Sequence, residues 1–161
     1  MNCKRLALVS LFMLLVFPVF GSMVTFLVIE TGLNEEFAAT QHSSLWEDAL
    51  MAEFFEAGHI VTNYPVARME KKPEMDLVGK IGIDFYDAMR GGSDYFILGF
   101  LEYKIQGDAA APVAITIKLY ETRSEMLVFE HNFPAGGGKS LGEEYLAAQN
   151  AARVLVSNIK G

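Results

Sequence analysis

Ser93–Ile105 reads SDYFILGFLEYKI, and its alternation decides the fold. Tyr95, Ile97, Leu101, Tyr103 and Ile105 fall on one face, while Phe96, Leu98 and Phe100 fall on the other until Glu102 and Lys104 turn it polar. A period of two with apolar residues on both faces is the mark of a strand covered on both sides, so this stretch is expected at the centre of a sheet. After the loop QGDAAAP (Gln106–Pro112), VAITIKLYET (Val113–Thr122) sets Val113, Ile115, Ile117 and Leu119 against Ala114, Thr116, Lys118 and Tyr120. One face is then buried and the other partly wet. The short turn RSE leads into MLVFEHNF (Met126–Phe133), and three strands joined this way form an antiparallel meander.

Working upstream, MVTFLVIE (Met23–Glu30) is rich in β-branched and aromatic residues and suits a buried strand. Trp46, Leu50, Phe54 and Ala57 then recur at helical spacing. Ser44 with Glu47 fits a capping box at the start of that helix, and Gly58 suits the left-handed position that ends it. HIVTNY (His59–Tyr64) is a second short strand closed by Pro65. Val78, Ile81, Phe85 and Met89 mark a second helix that Gly91-Gly92 stops. Its inner Gly79 and Gly82 each cost about 1 kcal/mol against alanine, which makes it the weaker of the two.

A last helix is expected from Leu141 to Ile159, with Leu141, Tyr145, Ala148, Ala152, Leu155 and Ile159 stepping by four and three. The fold class is therefore α+β, an α/β sandwich with the order β-α-β-α-β-β-β-α. A mixed sheet ends in an antiparallel three-strand meander with helices packed on it. At 161 residues the chain suits one domain, and no internal repeat or low-complexity tract divides it.

Phe133–Leu146, FPAGGGKSLGEEYL, is the one stretch that suggests a nucleotide site. A Walker loop needs G-x-x-x-x-G-K-[ST], and counting back from Gly138-Lys139-Ser140 puts its first glycine on Phe133. The motif fails there. Ser140 and Glu143 instead form an intact capping box, with Gly136–Gly138 as the turn before it. No cofactor is expected. His42, His59 and His131 share no metal-ligand spacing, so no metal site is expected either. No G-x-S-x-G elbow or evident nucleophile–base set is present, and no catalytic residue is assigned.

Lys4 and Arg5 precede an apolar run from Leu6 to Phe17, Pro18 breaks it, and Val19-Phe20-Gly21 offers compact residues before a cut ahead of Ser22. Residues 1–21 are read as a secretory signal peptide and 22–161 as the exported domain. The alternative is an uncleaved membrane anchor. Cys3, the only cysteine, precedes the apolar run, so neither a lipid anchor nor a disulfide is indicated. Cleavage removes two cations and no acid, moving the formal charge from -7 to -9. Lys71-Lys72 is the only basic pair left, and no nucleic-acid partner is expected.

With these elements placed, the chain resembles the small exported domain shared by the TolB amino-terminal region, the lipoprotein activators of penicillin-binding proteins, the curli secretion pore protein and a periplasmic flagellar assembly protein. VTFLVIE resembles that superfamily's opening strand. Asp94, Tyr95 and Gly99 in SDYFILGFLEYKI match its aspartate-aromatic-strand-glycine pattern, and Val113–Phe133 matches its strand, tight turn and strand. Two departures stand out: Thr122-Arg123-Ser124-Glu125 fills a turn that often holds glycine, and the anchoring cysteine of several members is missing. The resemblance implies a non-enzymatic interaction or assembly module of the periplasm or cell envelope that binds another envelope protein. The competing expectation is a small-ligand-binding or hydrolytic exported protein with a cleft near Tyr64, Tyr95, Tyr103 and Tyr120.

Overall fold

The computed structural model describes residues 21–33, 41–69, 82–106, 109–135 and 140–159. Six strands and three helices are present among them: β1 (Met23–Thr31), α1 (Gln41–Glu56), β2 (Ile60–Asn63), β3 (Ala67–Met69), α2 (Gly82–Arg90), β4 (Tyr95–Gln106), β5 (Ala109–Glu121), β6 (Met126–Pro134) and α3 (Leu141–Val156). The sheet runs β2-β1-β4-β5-β6, with β3 also on β1. It is the expected mixed α+β sheet. β1 is parallel to β2, β3 and β4, while β4, β5 and β6 form the antiparallel meander.

β3 is the element that the sequence reading omits. Tyr64-Pro65-Val66 interrupts the strand after β2, because proline has no N–H to give to a ladder. The chain then resumes pairing with the same strand, Ala67 opposite Ile29 and Arg68 opposite Glu30. Three residues are too few to show a period in the sequence.

The two faces of β4 separate two cores. Val24, Phe26 and Val28 of β1, Tyr95, Ile97, Leu101 and Tyr103 of β4, and Ile115, Ile117 and Leu119 of β5 lie under α1 and α3. Trp46, Leu50 and Phe54 descend from α1 onto that face, and Ala148, Ala151, Ala152 and Leu155 from α3. Burying each large apolar side chain contributes about 1.5–3 kcal/mol, so this face supplies most of the driving force. On the opposite face Phe85 of α2 stands edge-on to Phe96 and Tyr120, at centroid distances of 5.6 and 6.2 Å, beside Leu27, Ile29, Leu98 and Phe100. Val78 and Ile81, expected in the same helix, lie outside the described residues.

Helix ends follow their local chemistry. Gly58 takes φ +88°, its N–H donates to the Phe55 carbonyl and the His59 N–H reaches the Phe54 carbonyl, which satisfies the last turn of α1. Gly92 at φ +89° closes α2 in the same way. At the start of α3, Ser140 accepts from the Glu143 N–H while the Glu143 side chain accepts from the Ser140 N–H. Ser140→Ala should therefore cost about 1 kcal/mol in chemical denaturation, whereas Lys139→Ala should change nothing measurable.

The start of α1 corrects the sequence reading. The helix begins at Gln41, so Ser44 and Glu47 lie inside it instead of capping it. Tertiary contacts explain the extra turn, since His42 and Ser43 are bonded to Glu144 and Glu30. Ser44 is exposed, and Glu47 Oε1 is buried with no hydrogen-bond partner among the described residues. The turn Thr122–Glu125 falls where expected, and its last residue carries φ +56°, a backbone region that glycine adopts most readily.

Candidate functional site

Two polar clasps and one open edge are the chemically distinct places in the fold. The first clasp gathers where β1, β3 and β4 end beneath α1. Glu30 shares the face of Val24, Phe26 and Val28 and is 2 % exposed. Its carboxylate accepts from Arg68 Nε at 3.0 Å and Nη2 at 2.6 Å, and from the Ser43 hydroxyl. Ser43 is also 3.1 Å from the Tyr103 hydroxyl. Arg68 reaches Glu30 because the two are directly opposed in the β1–β3 register.

The second clasp joins α1 to α3 at both ends. Glu144, 3 % exposed, is 2.7 Å from His42 Nδ1 and accepts from Trp46 Nε1 at 2.9 Å. Two turns further on, Arg153 Nε and Nη2 each donate to Glu53 at 2.9 Å. The hydrogen bond from Glu53, and then its charge, push the Arg153 guanidinium above its usual pKa, so this cation never titrates in the range a protein meets. The first clasp holds α1 to the sheet and the second holds α1 to α3. Ser43 is bonded to Glu30 and Tyr103 while His42 is bonded to Glu144, which is geometry for positioning, and no open nucleophile–base pair is formed by these two neighbours.

The residues singled out from the sequence are dispersed. Gly58 ends α1, Ser140 and Glu143 begin α3, and Ser44 and Glu47 lie inside α1. The four tyrosines expected beside one cleft are divided by the sheet. Tyr95 and Tyr103 belong to the core beneath α1 and α3, whereas Tyr120 and Tyr64 pack on the opposite face. Alternation explains this, since Tyr95 and Tyr120 differ in the face their registers assign. Of the four, only Tyr95 lines the cleft of about 460 Å³ formed by Gly21, Ser22, Ser93, Asp94, Glu121 and Arg123 with their neighbours. Among the described residues no group of three or more His, Cys, Asp or Glu could hold a metal ion, and no helix is long and apolar enough to cross a membrane.

The open edge is β6. Its inner side pairs with β5 and no described strand pairs with its outer side. Met126 is 62 %, Leu127 40 % and Val128 45 % exposed, three consecutive apolar residues in water. Val128 is also the residue skipped where the register shifts between Leu119 and Tyr120. Beyond it, Phe129, His131 and Phe133 stack along one face, the ring centroids of His131 and Phe133 being 4.6 Å apart. The sequence signal for this surface was the unbroken apolar start MLVF, which alternation alone does not explain.

No protein-family model and no curated protein sequence matches the chain. Solved structures do. The PelC dodecamer from Paraburkholderia phytofirmans is 19 % identical, covering 86 % of this chain and 87 % of its own, with a TM-score of 0.52. TolB from Acinetobacter baumannii is 10 % identical over 86 % of this chain and 29 % of its own, at 0.43. The LpoB C-terminal domain from Salmonella enterica is 14 % identical over 83 % and 94 %, at 0.40. The chain has the PelC fold at that level of similarity.

Proposed function

We propose that the chain is a non-enzymatic interaction module of the cell envelope that binds another envelope protein along β6. The carrying observation is the edge itself. A nine-residue strand with an unpaired outer side and exposed Met126, Leu127 and Val128 offers main-chain hydrogen bonds and apolar contact to an incoming strand. The other edge is blunted, since β2 and β3 have four and three residues and are separated by Pro65. The export-like amino terminus supports the envelope location.

A second reading, that the partner is another copy of this chain, is favoured by one finding: the similar PelC structure is a dodecamer. Native mass spectrometry and crosslinking in the envelope separate the two readings, giving multiples of one mass or a defined second protein. Met126→Lys with Val128→Lys should remove the complex in either case while leaving the fold intact, because charge on an exposed edge opposes strand addition. A complex unchanged in the double variant excludes β6 as the binding edge.

A further inference from the structure

The start of β1 is held by the side chains of His59 and Asp94. The Ser22 N–H donates to His59 Nδ1 at 3.2 Å, and the Ser22 carbonyl accepts from the Ile60 N–H at 3.1 Å. One residue on, the Met23 N–H donates to the Asp94 carboxylate at 2.9 Å and its carbonyl accepts from the Asp94 N–H at 2.8 Å. The backbone is thus engaged from the Ser22 nitrogen onward.

Gly21 stands in a different relation to the fold. A Cβ built on it would lie 1.8 Å from the Gly58 carbonyl oxygen, and Gly58 is itself fixed at the end of α1. Residue 21, if retained in the folded chain, has to be glycine. The sequence independently places the end of an export signal at this residue.

We propose that the Gly21–Ser22 peptide bond is a processing site and that the amino group released there is a structural group, with His59 Nδ1 as its built acceptor. An export-signal peptidase hydrolyses the bond: the C–N bond breaks, the hydroxyl of water goes to the Gly21 carbonyl, and its proton to the Ser22 nitrogen. That nitrogen then takes a further proton from solvent to become an ammonium. Ser22 borders the cleft that also carries Asp94 and Glu121, two carboxylates, against the single cation of Arg123. A new positive charge at Ser22 is therefore favoured by its surroundings. For Nδ1 to accept, the His59 proton resides on Nε2.

Gly21→Ala tests the first half in the full chain, because small residues before the cut serve export-signal removal and alanine is among the best. The exported wild type and Gly21→Ala proteins should have the same intact mass, beginning at Ser22, and the same melting temperature. Masses that differ by one methylene, with the variant melting lower, overturn the processing site. The second half is read on the Ser22 amine by NMR after isotopic methylation. The amine should titrate at higher pH in the wild type than in His59→Phe, which keeps a ring against Phe54 (5.7 Å for the native pair) and lacks the acceptor. Equal titration in the two proteins overturns the assignment of His59, an outcome that a purely packing role for the ring would produce.

Discussion

Glu30→Ala should destabilise the protein by about 3–5 kcal/mol, the usual result of removing one partner of a buried charge pair. The carboxylate is almost wholly buried, and Arg68, with its side chain 26 % exposed, places two nitrogens on one of its oxygens while the Ser43 hydroxyl takes the other. The alanine variant leaves Arg68 without that carboxylate in a low-dielectric setting. Glu30→Gln keeps the shape and an acceptor but not the charge, so it should fall between wild type and alanine. Urea midpoints measure both, and a loss under about 1 kcal/mol for the alanine variant would show that Arg68 turns to solvent freely.

Trp46→Ala is expected to cost about 3–5 kcal/mol through the cavity left by the largest fully buried side chain. The same change removes the indole N–H from Glu144, a buried carboxylate that then keeps His42 as its bonded neighbour in α1. Trp46→Phe separates the two contributions. It retains most of the ring volume and deletes the hydrogen bond, so its cost should be about 1–3 kcal/mol, the range for a buried group deprived of its partner. If Phe and Ala variants unfold at the same urea concentration, the hydrogen bond and not the cavity dominates. Both variants report on the attachment of α1 to α3.

The central strand was legible because both of its faces alternate cleanly, and with it the meander, the fold class and the closing helix. Tyr95 to Phe100 assign themselves to the two cores in the order their parity gives. The Ser140–Glu143 box was legible because its four residues are local. What the sequence hid is non-local. Glu30 meets Arg68 across 38 positions and Trp46 meets Glu144 across 98, and no period connects such pairs. A charge ending the apolar run VTFLVI was the only hint of the first clasp. The misplaced start of α1 has the same cause, since local capping rules favoured Ser44 while distant carboxylates fixed the two residues before it. The tyrosines misled because side-chain type says nothing about which side of a sheet a residue occupies.

Edge asymmetry sets the valence of any strand-to-strand assembly. On the proposed reading β6 would accept one neighbour, and among the described residues the β2–β3 side, cut at Pro65, offers no matching acceptor for a second. Growth by strand addition through these edges alone would then terminate at a pair and not run on into fibres. A ring of many copies would need a second, non-edge contact on each subunit, and its stoichiometry would be set by the angle between those two surfaces.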